Sequence, residues 1–187
     1  MTAANGKKNG KIEWDKNIDL DVFYETAKKE IQKLLPPENK KEYARLGYWV
    51  ILVIQATNGL RISEAVEGFK KWLKEGDRFP SVKVRKKRNV EEYVTIKIPK
   101  IVKDEYRGFL EDYMFIDESK IVNRVKKFAS VNGINTHSLR YAWITKKLKE
   151  GANPAIVAKA VRHSSVNMIM RYVQKMKADE LRLNDDY

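Results

Sequence analysis

The chain has no cysteine, and its 187 residues include two histidines. Without thiols there can be no disulfide and no thiolate metal site, and two imidazoles are too few to build a histidine metal site. No apolar run reaches the ~18 residues that span a bilayer. The N-terminus lacks the apolar core of a secretory signal, so the expectation is a soluble, cytoplasmic protein. Acidic residues are in deficit, with 25 Asp and Glu against 38 Lys and Arg, for a formal net charge of +13. Prolines number five and glycines nine, so breaks in regular structure can be located one by one. Apolar residues are not short: at 43% they exclude a wholly disordered chain and suffice for one domain.

The excess positive charge is concentrated. Residues 83–103 hold eight Lys and Arg against two acids, and residues 137–177 hold nine against one. The rest of the chain is close to neutral. Charge kept for solubility would be spread out, whereas two basic segments imply a polyanionic partner.

Residues 1–17 are polar and without period, and are expected to form a flexible lead. From Asp19 to Leu35 the spacing predicts an amphipathic helix with Val22, Phe23, Ala27, Ile31 and Leu34 on its apolar stripe, ended by Pro36-Pro37. A second helix runs from Lys40 through Tyr48–Ile54, apolar all round and therefore buried, to a break at Asn58-Gly59. A third, Arg61–Lys74, carries Ile62, Ala65, Val66, Phe69 and Leu73 at helical spacing. The period then falls to two in Val82–Arg85 and Tyr93–Ile98, which predicts a hairpin with a charged tip at Lys86–Glu92. Further helices are predicted over Asp104–Tyr113, Glu118–Ser130 and Ser138–Glu150. A short one is opened by Asn153-Pro154, and a last one is capped by Ser164 or Ser165 and runs through Lys177.

Three stretches carry residue types suited to attack on a phosphodiester. They are Thr57-Asn58-Gly59-Leu60-Arg61-Ile62-Ser63-Glu64, Thr136-His137-Ser138-Leu139-Arg140-Tyr141, and Arg162-His163-Ser164-Ser165 followed by Arg171-Tyr172. His137 and Arg140, three apart, fall on one side of a helix. Arg61 beside a glycine break, at a helix start with free backbone N–H groups, is well placed for a phosphate. Each has a plainer reading: Arg61 and Arg140 as surface cations, His137 as a helix cap, His163 as a core contact, Tyr172 as an apolar-stripe residue with Met168 and Met176. The ordered set is what shifts the balance.

That set resembles the tyrosine recombinase or phage integrase family, over about residues 40–177. The 23-residue gap from Arg140 to His163 and the nine-residue gap to Tyr172 agree with the family pattern. The resemblance implies a mainly α catalytic domain of the DNA breaking-rejoining kind, with a small antiparallel β-sheet, over residues 18–187. It implies cleavage and rejoining of double-stranded DNA through a 3′-phosphotyrosyl bond, as in integration or excision of a mobile element. Tyr172 would be the nucleophile, Arg61 and Arg140 the clamp on the non-bridging oxygens, His137 the base or proton relay and His163 a donor to the phosphate. Glu64 would orient these groups. A hairpin lysine would protonate the leaving oxygen: Val82 and Val84 favour Lys87, the distance from Arg61 favours Lys86, and strand alternation allows one of the two. Lys83, Arg85, Arg88, Arg162 and Arg171 are expected to contact DNA.

No metal and no cofactor is expected, and the partner would be DNA with a homo-oligomer, a tetramer, assembled on it. The family's Leu-Gly-His is Val161-Arg162-His163 here, which sets an additional cation beside the histidine. Residues 1–40 are too short for the helical core-binding domain that precedes the catalytic one in full recombinases, so that domain is expected to be absent. Two other readings share the motifs, a topoisomerase of type IB and a DNA-binding relative that has lost catalysis.

Overall fold

The computed structural model describes residues 18–84, 91–162, 167 and 169–170. Helix α1 (Leu20–Lys33) starts where the Asp19 carboxylate accepts the backbone N–H of Asp21 and of Val22, satisfying two of the donors a helix start leaves free. Its buried face is Leu20, Phe23, Ala27 and Ile31, with Leu34 just beyond. Val22, expected on that stripe, is 64% exposed. At 100° per residue it lies across the helix from Leu20 and Ala27.

Helix α2 (Lys40–Asn58) is the axis of the fold, packed against α1, α3 (Ile62–Glu75), α5 (Glu118–Val131) and α6 (Thr136–Lys149). It is buried without interruption from Trp49 to Ala56, as an all-round apolar helix must be. It stops at Gly59, which has φ 61° and whose Cβ, if present, would lie 2.7 Å from the Trp143 ring. The turn into α3 therefore needs glycine both for its backbone and for space. Helix α3 buries the expected Ile62, Ala65, Val66, Phe69 and Leu73, together with Trp72.

Strands β1 (Ser81–Lys83) and β2 (Tyr93–Thr95) pair antiparallel with Val82 opposite Val94. The regular ladder is shorter than the alternation predicts. Single backbone bonds prolong it, from Val84 N–H to Glu92, from Ile96 N–H to Pro80 and from Ile98 N–H to Arg78. The Arg78 guanidinium then collects the carbonyls of Ile98, Pro99 and Val102 and so turns the chain away. The hairpin lies on α3, so close that a Cβ on Gly68 would collide with Ile96 Cδ1.

The single helix expected over residues 104–113 is two pieces, α4 (Tyr106–Leu110) and a 3₁₀ turn (Glu111–Phe115). The change of pitch keeps Leu110 and Tyr113 both buried, with the Tyr113 hydroxyl donating to the Ala44 carbonyl at 2.9 Å. Helix α6 begins two residues before the expected Ser138, because Asn135 caps it through the His137 N–H. Asn153 caps α7 (Pro154–Ala160), as Asn-Pro predicts. The helix expected through Lys177 falls largely outside the described residues, though Asn167, Ile169 and Met170 are helical. The described part is mainly α with a small antiparallel sheet, as expected, and none of its helices is long and apolar enough to cross a membrane.

Candidate active site

The end of α2 and the starts of α3 and α6 meet at one edge of the fold. Arg61 occupies the N-cap of α3, where its own positive charge opposes the helix dipole. Glu64, one turn later, compensates. Its carboxylate accepts the Arg61 backbone N–H at 3.0 Å and Arg61 Nη1 at 3.0 Å. It also accepts Arg162 Nη2 at 2.8 Å. Glu64 is wholly buried at 0% exposure. A carboxylate so placed is tolerable because both oxygens are paired.

Arg140, one turn into α6, is 3% exposed. Its Nη1 donates to the Gly59 carbonyl at 2.8 Å and its Nη2 to the Val161 carbonyl. One guanidinium thus bridges the break before Arg61 and the segment before His163. Burial first, then the charges of Arg61 and Arg162, push the Arg140 pKa down to about 10, against the pull of Glu64. It stays protonated at neutral pH. Among the described residues, three guanidiniums share one carboxylate, and the excess positive charge in a desolvated place is what an anion would relieve.

His137 sits in the first turn of α6, where the helix spacing sets it and Arg140 on neighbouring positions of one face. The cap it was offered as an alternative role belongs to Asn135. His137 is exposed and its ring meets Tyr141 edge-on, with centroids 5.0 Å apart at 74°. It lines a cleft of about 650 Å³ together with Arg61, Ser63, Lys126 and Asn135. Arg61 and His137, 76 positions apart in the chain, share that cleft. The Tyr141 phenol is half-buried and its pKa is raised by burial, with Arg140 pulling the other way.

Arg162 lies just beyond the C-terminus of α7. Its side chain is turned inward, 10% exposed, with Nη2 on Glu64. Its carbonyl lies 3.4 Å from Arg61 Nη2. Its φ is 53°, a left-handed conformation where glycine is favoured. The residue expected at the DNA makes an internal ion pair in this structure. Lys83 likewise has its ammonium on Glu91 across the hairpin, while its backbone N–H donates to Glu67 at 2.9 Å. Lys86, Lys87, Arg85, Arg88, His163, Arg171 and Tyr172 lie outside the described residues.

Two long polar side chains of the cleft, Lys126 and Gln55, are not among the residues the sequence singles out. Lys126, in the pair Lys126-Lys127 on α5, has the sequence signature of any solvated helix face. Gln55 is a carboxamide inside an apolar run, and its partner carbonyl on Thr136 is 81 positions away. No local pattern announces either.

The phage integrase family matches residues 25–179 of the chain. A protein of Acidianus two-tailed virus bearing the name "Putative integrase ORF241" is 35% identical, over 94% of this chain and 70% of that protein. An uncharacterized protein of Methanocaldococcus jannaschii is 34% identical, over 91% of this chain and 88% of its own length. A Sputnik virophage protein named "Putative integrase V10" is 29% identical, over 90% of this chain and 88% of its own. No solved structure matches significantly. With the family match covering most of its length, and with the arginine and histidine segments meeting at one cleft, the chain belongs to the phage integrase family.

Proposed function

We propose that this protein is a site-specific DNA recombinase, an integrase that cleaves and rejoins strands through a phosphotyrosyl intermediate. The observation that carries the reading is that the starts of α3 and α6, far apart in the chain, bring Arg61 and His137 to one cleft, with Glu64 and Arg140 buried beside it. In the forward step the Tyr172 phenolic oxygen attacks the scissile phosphorus. A Tyr–O–P bond forms and the P–O5′ bond breaks, leaving a 3′-phosphotyrosyl strand and a free 5′-hydroxyl. Rejoining is the reverse attack by a 5′-hydroxyl, which restores the tyrosine.

A phenol is a weak nucleophile near neutral pH and needs a nearby base and a stabilised transition state. His137, exposed at the cleft, takes the proton. Arg61 and Arg140 hold the non-bridging oxygens as negative charge grows on them. Their fixed charge does there what a metal ion would do, so neither a metal nor ATP enters the scheme. His163 donates to the phosphate, and Lys87 or Lys86 supplies the proton to the leaving oxygen.

The test is covalent trapping on nicked duplexes of random sequence and on plasmid DNA. Wild type is expected to give a covalent protein–DNA band that Tyr172→Phe loses and Tyr141→Phe keeps. Equal behaviour of the two variants would remove Tyr172 as the nucleophile.

A further inference from the structure

The last turn of α2 carries two carboxamides whose hydrogen bonds run to different parts of the chain. Gln55 is 1% exposed, and its Nε2 donates to the Leu60 carbonyl at 3.2 Å and to the Thr136 carbonyl at 2.8 Å. Those carbonyls belong to the residues immediately before Arg61 and His137. A single amide therefore sets the start of α3 against the start of α6. Its Oε1 is buried and has no hydrogen-bond partner among the described residues, which costs stability that an apolar residue would keep. The five residues before it, Val50–Ile54, are all apolar and fully buried. What a glutamine adds in that company is its pair of donors.

Asn58 works on the other side. Its Oδ1 accepts the Lys97 N–H at 2.8 Å, and its Nδ2 donates to the Lys97 carbonyl at 2.8 Å and to the Ile54 carbonyl at 2.9 Å. Along an antiparallel strand, successive residues turn their backbone groups to opposite sides. Ile96 and Ile98 face the first arm of the hairpin, through Pro80 and Arg78, so Lys97 faces away from it. The Asn58 side chain stands where a third strand would pair. The second arm of the hairpin is thereby fixed to the turn that leads into Arg61.

We infer that Gln55 and Asn58 are positioning residues with separable duties, an inference that rests on the function proposed above. Gln55 aligns Arg61 with His137 about the phosphate. Asn58 aligns the hairpin, and with it the lysine that protonates the leaving oxygen. Neither touches the reacting atoms.

A substrate that needs no acid separates the two. When the bridging 5′-oxygen is replaced by sulfur, the P–S bond breaks in place of P–O. The leaving thiolate, whose conjugate thiol has a pKa of about 8.5, departs without a proton. Two random-sequence duplex pools are compared in single-turnover covalent trapping, one with ordinary linkages and one with a single 5′-bridging phosphorothiolate. Asn58→Asp keeps the shape but loses both donors. It is expected to be at least about tenfold slower than wild type on the ordinary pool and within about twofold on the sulfur pool. Gln55→Met is expected to be slower by about tenfold to a hundredfold on both. Non-covalent binding of the ordinary pool should hold near the wild-type level in each.

Equal slowing of Asn58→Asp on the two pools, or wild-type rates for either variant, overturns the inference. If Gln55→Met does not fold, Gln55→Glu, which keeps the length and loses the amide, is measured in its place with the same expectation. If wild type itself traps no DNA on either pool, the proposed function falls, and the clamp is read by hydrogen exchange instead. The Lys97 amide must then lose protection in Asn58→Ala, and unchanged protection overturns the clamp as well.

Discussion

The two ends of α2 are held by different physics. From Leu46 to Ile54 the helix is held by area: apolar side chains on every side, none depending on one partner. From Gln55 through the turn to Arg61 the chain is held by points, the Thr136, Leu60 and Lys97 carbonyls and the Glu64 carboxylate. Area tolerates exchange, because a volume-conserving swap keeps most of the contact. Points do not, because a lost donor strands its acceptor. The core therefore supplies stability, and the polar end supplies a geometry fixed enough for chemistry.

Glu64 gives the sharpest contrast. Glu64→Ala leaves the guanidiniums of Arg61 and Arg162 facing each other with no anion between them. The expected loss is about 3–5 kcal/mol in denaturant unfolding, with covalent DNA trapping abolished. Leu52→Met, equally buried in the apolar half, is expected to lose less than about 1.5 kcal/mol and to trap DNA normally. Comparable losses for the two would dissolve the distinction between the ends.

The junction itself comes next. Gly59→Ala would add a methyl group 2.7 Å from the Trp143 ring at φ 61°. Left-handed strain and overpacking together are expected to destabilise by about 2–4 kcal/mol. Trp143 also donates from Nε1 to the Thr57 carbonyl at 3.0 Å. Its displacement should therefore register as a change in indole fluorescence, absent from Leu52→Met.

The same contrast explains what could be read beforehand. Area leaves a periodic trace: the all-apolar run of α2, the stripe of α3 and the alternation of Val82, Val84, Ile96 and Ile98 are visible as pattern. Val22 misled because one apolar residue off the arc looks like one on it. Points leave a trace where the residue type is itself unusual, as with Arg61 at a helix start or His137 and Arg140 three apart. They leave none where a common residue finds a distant partner. Gln55, through Thr136, and Asn58, through Lys97, are of that kind. The inward turn of Arg162 is another case, since its partner is a carboxylate 98 positions earlier. The broken helix at 104–115 was hidden for a related reason, because the Tyr113 hydroxyl reaches Ala44, 69 positions back.

Arg162 tests how far two points depend on each other. In wild type, Arg162→Gly relieves roughly 1–2 kcal/mol of left-handed strain and gives up the ion pair with Glu64. The net expectation is destabilisation by about 2 kcal/mol, since a buried charge is left half-paired. In a Glu64→Gln background there is no ion pair to lose, and the same substitution should be neutral or stabilising by about 1 kcal/mol. A double-mutant cycle in urea measures the coupling, expected at about 2–3 kcal/mol. Simple additivity would mean that Arg162 and Glu64 are neighbours without being partners.

The smallest effect concerns a point interaction just before the area-held stretch. Tyr113 packs against Gly47, and its hydroxyl donates to the Ala44 carbonyl at 2.9 Å. Burial pushes its phenol pKa well up, with Tyr48 adding to the effect. A folded-state pKa above the unfolded value near 10 contributes stability that is complete below about pH 10. That contribution is lost progressively as pH rises further, because the unfolded phenol ionises while the folded one resists. Tyr113→Phe should therefore lose about 1 kcal/mol at pH 7, from the missing hydrogen bond. Above about pH 10 the gap between variant and wild type should narrow and then reverse. Denaturant unfolding at pH 7, 9, 10 and 11 reads it directly. A gap that stays constant across the series would place the Tyr113 hydroxyl in water rather than in the core.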